Sequence, residues 1–456
     1  MWAGMQAGAQ AGLARASRLL AARGTTIPVR LGVALLLLAL QLWVAVRSGD
    51  RFHMPFNRAP GQAPGFVDPA RERVPHEWDR LVVARWDSGQ YIELGLRGYR
   101  YCPPRGPTLP VNSPTCNLEF YPAYGLVGRW VGQLTGMPID FALLSVSLVS
   151  SFLFLFLWTG PALTERLGVG TTYLALLLFN TFTTAYCLVT IQTEPLTLAL
   201  ALGAFVAFAR RRHVLGAFLA GATSGVRITG VAIGIAYAVG LLVEQWQQRS
   251  PQRSEKRSEK PSEDGRWTWR VWARLLVLGL LCGWGELALM TVHAVRFGDP
   301  LAYIHAHGAA FHHSPSLRAV LWPDPEWFVE GIDFPLHEAL WWAAALLWYL
   351  IGGRQSLAAF PRPQRVFWSL TFWGTLGIAT LGMLPIALAG LSRYVLLALP
   401  MFFAMAVLMR SRPLLLAVWL TMSVWHFWNI SLCSYTGGMG WHVLRVCHEG
   451  HLLKKP

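Results

Sequence analysis

Charge is scarce in this chain, and negative charge is scarcest. Only 14% of its 456 residues are charged, with 24 Asp and Glu against 39 Lys and Arg. A soluble globular domain carries about a quarter charged residues, so the deficit argues against that class. Hydrophobic residues make up 54%, Trp alone numbers 22, and the mean hydropathy is +0.38. This is the composition of a polytopic membrane protein. The net charge of +15 is spread in short basic clusters between apolar runs rather than gathered on one patch. That pattern orients a chain in a bilayer and argues against nucleic acid as a partner.

Further absences narrow the reading. The first 30 residues hold Arg15, Arg18, Arg23 and Arg30 but no acid. Nothing after the apolar run Leu31 to Val46 reads as a small-residue cleavage site, so the run is expected to be an uncleaved signal anchor with a cytoplasmic N-terminal segment, residues 1–30. No large internal repeat is visible, which counts against transporter folds built from duplicated halves. The short repeat at 253–264 (RSEK, RSEK, PSED) has no apolar face and reads as a disordered charged linker.

Apolar spans are expected at 31–46 and near 141–160, 170–190, 195–209, 213–226, 228–246, 271–293, 338–352, 366–388, 393–410 and 413–431. The fold class is therefore an all-α polytopic membrane protein with about eleven transmembrane helices, some of them short enough to be tilted or broken. With alternating spans, the inside connections hold Arg166, Arg210-Arg211-Arg212, the linker 247–270, then Arg354, Arg362 and Arg365, and finally Arg410 and Arg412. Every one is basic, as the positive-inside rule asks. An N-terminal membrane region, 31–246, then contains a long first outer loop, 48–138. A C-terminal region, 271–432, contains a second outer loop, 294–337, and 433–456 forms an outer tail.

Cysteines are few. Cys187 and Cys282 fall in or beside apolar spans, while Cys102, Cys116, Cys433 and Cys447 fall on the expected outer side, where disulfides persist. Local pairing, Cys102 with Cys116 and Cys433 with Cys447, is the simplest connectivity. His305, His307, His312 and His313 invite a metal reading, but no cysteine or firmly placed carboxylate accompanies them, so no metal is assigned. Asp324-Pro325-Glu326 imitates the acid pair of nucleotide-sugar enzymes but lies on the expected outer side, away from nucleotide sugars.

What the chain does have is an acid at the membrane boundary. Arg85-Trp86-Asp87-Ser88-Gly89-Gln90-Tyr91 places Asp87 in the first segment outside the first span. Asp87 could merely cap a helix from Ser88 to Gly95. Glu194, just ahead of Pro195, suits a first helical turn and could complement the helix dipole. Arg227 and Arg393 stand at span ends and could snorkel to headgroups. Glu286 lies inside the span 271–293, where an ionisable group is expensive; a functional role and a structural hydrogen bond are both open.

Six stretches together resemble the PIG-V-type family, GPI mannosyltransferase II and its bacterial relatives. They are Trp86-Asp87 with Gly98-Tyr99, Glu119-Phe120-Tyr121-Pro122, Thr193-Glu194-Pro195-Leu196, Ser224-Gly225-Val226-Arg227-Ile228-Thr229-Gly230, Gly298-Asp299-Pro300-Leu301, and Ser392-Arg393-Tyr394. Their order and topological side match from about residue 80 to 410. The segment holding Cys102 and Cys116 looks like an insertion relative to the family pattern. The resemblance implies a GT-C glycosyltransferase bundle with a long first extracytoplasmic loop. Such an enzyme moves a sugar, typically mannose, from a polyprenyl-phosphate donor to a hydroxyl of a glycan, lipid or protein on the non-cytoplasmic face, with inversion and without a cofactor. It also implies a bacterial plasma membrane rather than an endoplasmic reticulum, and a site lined by the side chains of these stretches and their neighbours, among them Arg85, Trp86, Tyr91, Tyr121 and Tyr394.

The chemistry of such a transfer fits these residue types. The acceptor hydroxyl must lose a proton as the new bond forms, which suits a boundary carboxylate: Asp87, with Glu194 or Glu119 as substitutes. The leaving phosphate gathers negative charge, which the forked guanidinium of Arg227 or Arg393 can clamp through two oxygens. A transporter or flippase would spread ionisable groups along a path, whereas here they cluster at outer helix ends, Glu286 excepted. A non-enzymatic scaffold would need no such convergence. A relative of the same fold using another lipid-linked sugar is the closest rival, because that choice rests on pocket hydrogen bonds.

Overall fold

Apolar runs punctuated by proline, glycine and short polar clusters fold as helices. The computed structural model describes residues 26–51, 87–99, 117–182, 184–249, 268–310, 334–383 and 391–435, and among these there is no strand. The helices are α1 (Ile27–Arg51), α2 (Ser88–Arg97), α3 (Ala123–Thr135), α4 (Ile139–Trp158), α5 (Pro161–Leu167), α6 (Val169–Asn180), α7 (Glu194–Ala209), α8 (His213–Val226) and α9 (Gly230–Arg249). They continue with α10 (Trp269–Cys282), α11 (Trp284–Phe297), α12 (Ala302–Ala310), α13 (Phe334–Ala358), α14 (Arg362–Met383), α15 (Leu391–Val395), α16 (Pro400–Met409) and α17 (Pro413–Tyr435).

Two segments are long and apolar enough to cross a membrane by length and composition, Ile27–Ala45 and Ile139–Leu167. A third qualifies if α10 and α11, bent by 64° at Gly283, form one span. α6, α7, α8, α16 and the first part of α17 are apolar but shorter. The described chain is thus a helical bundle compatible with a membrane, and three of the expected spans take another form. The run 170–190 ends its α-helix at Asn180 and continues as a 3₁₀ turn, Ala185–Val189. The run 271–293 is broken at Gly283, and 393–410 divides into α15 and α16. In each case both pieces are apolar, so hydropathy alone reads through the break.

The core is built by α4, α6, α7, α8, α9, α14 and α16, whose Phe154, Trp158, Phe179, Phe205, Phe367, Trp368 and Phe402 are all fully or almost fully buried. Aromatic edges lock it: Phe205 sits 4.5 Å from Trp368, and Phe179 5.1 Å from Phe402. The outer surface is also apolar, with Leu36, Leu40, Val149, Leu276, Leu350 and Leu414 exposed. Bare leucine on so many outward faces is what lipid contact would select. A second, smaller core of Tyr91, Tyr99, Tyr121, Tyr124, Leu143, Val226, Leu289 and Tyr303 lies where α2, α3, α4, α8, α11 and α12 meet. It is the floor of the candidate site.

Candidate functional site

Residues 190–193 leave the helical ladder between the 3₁₀ turn and α7, yet all four are at most 2% exposed. The Thr190 and Thr193 carbonyls accept the backbone N–H groups of Gln192 and Thr197, and the carbonyls of Ile191 and Gln192 take donors from side chains. Ser88 on α2 donates to the Ile191 carbonyl at 2.7 Å, and Ser151 on α4 donates to the Leu188 carbonyl at 2.5 Å. Ser147 reaches the Gln192 carbonyl at 3.4 Å and also contacts the Tyr124 hydroxyl at 2.7 Å. This hydrogen-bonded segment delivers Gln192, Thr193 and Glu194 side by side, and Pro195 sits in the first turn of α7, where its missing N–H would have had no helical partner.

Three other segments converge on it. Arg227 is the C-cap of α8, in extended backbone conformation. The return into α9 is tight because a Cβ on Gly230 would lie 2.1 Å from the Thr223 carbonyl oxygen. Asp87 is the N-cap of α2, but its carboxylate makes no capping hydrogen bond. Arg393 lies on the short helix α15, well separated in sequence from its partners.

The four charges form one network. Arg393 donates from Nε to Glu194 Oε1 at 2.8 Å, from one terminal nitrogen to Asp87 Oδ2 at 3.1 Å, and from the other to Gln192 Oε1 at 2.8 Å. Arg227 meets the same Glu194 Oε1 at 2.6 Å and donates to the Thr193 hydroxyl at 3.0 Å. The Arg227 guanidinium also lies 4.1 Å from the ring centre of Tyr394. Two acids and two arginines cancel, as a buried charge cluster requires.

Burial separates the roles of the two acids. Glu194 is wholly buried, whereas the Asp87 side chain is 38% exposed. Glu194 stands just ahead of the apolar run 195–209. Burial alone would raise its carboxyl, but the charges of Arg227 and Arg393 outweigh that and hold it well below the usual carboxylate range. Burial, and then the Asp87 charge, pushes the Tyr91 hydroxyl upward, so it stays protonated and able to donate. The Arg227 Nε and Glu194 Oε2 are buried without partners.

Most of the residues singled out in the sequence take part. Asp87, Glu194, Arg227, Arg393 and Tyr394 are in direct contact. Tyr91 is buried against Tyr124, with ring centres 5.4 Å apart, beside the charges. Among the described residues, Glu194 and Asp87 are the acids paired with Arg227 and Arg393; Glu119, half-buried before α3, is not one of them. Tyr121 belongs to a neighbouring cluster around Glu286. Arg85 and Trp86 lie outside the described residues, as do Cys102, Cys116, Cys447, His312, His313 and Asp324-Pro325-Glu326. Burial overturns the snorkelling alternative: Arg227 is 6% exposed, and the Arg393 side chain 11%.

The sequence reading missed Gln192, Thr193 and Ser88 as ligands of this network. Their signal is a polar tripeptide, Gln192-Thr193-Glu194, between two apolar runs, of which only the charged member stood out. Of the histidine-rich segment, His305 has a described side chain. His305 Nδ1 pairs with Asp299 Oδ2 at 2.7 Å, which with the Leu301 backbone N–H keeps the Asp299 carboxyl below its ordinary value. Among the described residues no group of His, Cys, Asp and Glu is disposed to hold a metal ion.

No protein-family model, curated protein or solved structure matches the chain. The network itself is the argument for function.

Proposed function

We propose that the chain is an integral membrane glycosyltransferase of the GT-C type, with about eleven membrane-crossing segments. In this reading it takes a sugar, most simply mannose, from a polyprenyl-phosphate donor and passes it to a hydroxyl of a glycan, lipid or protein at the non-cytoplasmic face. The membrane is a bacterial plasma membrane in the reading that the family resemblance favours. The observation that carries the proposal is the convergence of Asp87, Glu194, Arg227 and Arg393 at one point, although the last lies 306 positions after the first.

The geometry suggests a division of labour. Asp87 contacts Arg393 through Oδ2 alone and is partly exposed, so Oδ1 is placed to take the acceptor proton. Glu194, buried between two guanidiniums, positions them rather than meeting substrate. Arg393 spends all three of its nitrogens on protein acceptors. The pairs of Arg227 to Glu194 and Thr193 use one terminal nitrogen, and Arg227 is therefore assigned as the better clamp for the leaving phosphate. Outside the cluster, Leu126, Trp130 and Leu134 on α3 are exposed at helical spacing, which supports a site held at a lipid boundary where a prenyl chain can lie.

A purified preparation given radiolabelled polyprenyl-phosphate mannose together with native membrane lipids is expected to transfer label to a lipid or glycan fraction. Asp87→Asn keeps the shape and removes the base, so transfer should fall by about two to four orders of magnitude with donor binding retained. Equal transfer by wild type and Asp87→Asn, at equal folded protein, would remove Asp87 as the base. The sharp break between α10 and α11 favours one other reading, a lipid or glycan transporter, because discontinuous helices mark transport sites. Vesicles in which labelled donor changes leaflet while its sugar bond stays intact would favour transport. The same GT-C enzyme with another lipid-linked sugar would leave the mannose donor untouched and consume the other.

A further inference from the structure

Two arginines are buried among the described residues, Arg227 and Arg30, and only Arg227 meets a carboxylate. Arg30 lies in the first turn of α1, and Arg210, which follows α7, is within reach of its charge; α7 begins at Glu194, so Arg30 stands at the opposite end of the bundle from the network. Its guanidinium is laid 4.0 Å from the centre of the Phe156 ring, and Nη2 donates to the Phe156 carbonyl at 2.8 Å, near the end of α4. The fit at the corner between α4 and α5 is close, since a Cβ on Gly160 would stand 3.1 Å from Nη2.

That carbonyl is the guanidinium's one protein acceptor among the described residues. Nε is buried without a partner, and Nη1, also without one, is not sealed off as Nε is. The ionisable groups within electrostatic reach are Tyr173 and Arg210, so among the described residues no carboxylate offsets the charge. Capping α4 accounts for one nitrogen and leaves a cation without an anion. Such a charge is far costlier to bury than a paired one, so its counter-charge must come from outside the chain. Arg410, which donates to Thr171 at 3.4 Å on the helix that carries Tyr173, brings a further positive charge to this end. Beside Arg30 the face of α1 is bare: Ile27, Leu31 and Leu35, at helical spacing, are 61%, 36% and 57% exposed. A phospholipid answers both features, a phosphate oxygen for Nη1 and an acyl chain for the apolar stripe. A free phosphate has no use for the stripe.

We propose that Arg30, at the corner between α4 and α5, holds the phosphate of an anionic phospholipid in the leaflet where Arg210 and Arg410 lie. On the orientation read from the arginine clusters this is the cytoplasmic leaflet. The site does not depend on the transferase reading.

The full-length protein in detergent is offered dioleoylphosphatidylglycerol, dioleoylphosphatidylcholine or inorganic phosphate, and bound lipid is counted by native mass spectrometry. Wild type is expected to bind the glycerol lipid about tenfold more tightly than the choline lipid, and Arg30→Gln to lose that preference. Equal binding of both lipids by wild type, or an unchanged preference in Arg30→Gln, overturns the site. Inorganic phosphate that raises the unfolding temperature as far as phosphatidylglycerol does also overturns it, because the lipid is then dispensable. Thermal unfolding in nanodiscs separates lipid binding from capping of α4: the deficit of Arg30→Gln against wild type should be larger in phosphatidylglycerol than in phosphatidylcholine, and an equal deficit in both overturns the site. Should Arg30→Gln fail to fold, phosphatidylglycerol with a photoreactive group near its phosphate reads the site in wild type. Cross-links to residues 27–35 or 153–160 support it, and cross-links found only elsewhere overturn it.

Discussion

Glu194 Oε1 accepts from two guanidiniums at 2.6 and 2.8 Å in a site without exposure. Removing that carboxylate leaves two buried cations facing each other, whereas removing Asp87 takes away a half-exposed partner of only one. Glu194→Ala is therefore expected to cost about 3–5 kcal/mol of stability, and Asp87→Ala about 1 kcal/mol or less. Thermal unfolding of the detergent-solubilised variants should show the large loss only for Glu194→Ala; equal losses would contradict the asymmetry. These charged residues were legible because an acid or arginine at the end of an apolar run is conspicuous in a chain with so few charges. Gln192, Thr193 and Ser88 were not, since neutral polar residues end helices everywhere and only their contacts distinguish them. The four-way network was legible as a convergence on one side but not as a set of pairings, which depend on which nitrogen meets which oxygen.

Among the elements, α11 is held against α8 by glycine. A Cβ on Gly285 would stand 2.5 Å from both the Gly221 carbonyl oxygen and the Gly225 nitrogen. This close approach sets Ser224 against the Glu286 N–H and fixes the end of α8 that carries Arg227. Gly285→Ala should push the helices apart at a cost of about 1–3 kcal/mol. Gly279→Ala on α10, where no atom lies within 4 Å of the added carbon, should be neutral or stabilising by up to about 1 kcal/mol. Thermal unfolding and donor affinity measured on both variants check this, and a benign Gly285→Ala would sink it. The sequence located these helices within a few residues but joined α10 to α11, because Gly283 between two apolar halves does not disturb the hydropathy. It expected α2 from Ser88, which the structure has, while α3 in the first outer loop went unseen, being short and amphipathic rather than uniformly apolar.

For the whole molecule, the all-helical architecture followed from composition, and the side each connection faces was inferred from arginine placement. Two helices that bear the network have arginine at their far ends: α7 begins at Glu194 and is followed by Arg210, and α8 begins after Arg212 and ends at Arg227. The network and the basic cluster Arg210-Arg211-Arg212 thus stand at opposite ends of these two rods, as a chain oriented by the positive-inside rule would have them. With Ser262→Cys and Asn112→Cys introduced separately, a membrane-impermeant thiol reagent on intact cells should label Asn112→Cys, and Ser262→Cys only after permeabilisation. Labelling of both from the same side would remove the orientation on which the proposed chemistry depends.

The distance in sequence between Asp87 and Arg393 also bears on how the protein is made. A ribosome delivers Asp87, Glu194 and Arg227 first, and Arg393 comes 306 residues after Asp87. Until then Glu194 has one guanidinium instead of two, and Asp87 and Gln192 lack their shared donor. The unfinished chain therefore holds an incomplete charge cluster during insertion, and the neutral arrangement of two acids and two arginines exists only once α15 has docked. Chains truncated just before residue 391 should accordingly be recognised as unfinished by the cell's membrane proteases, whatever the state of helices α1 to α14.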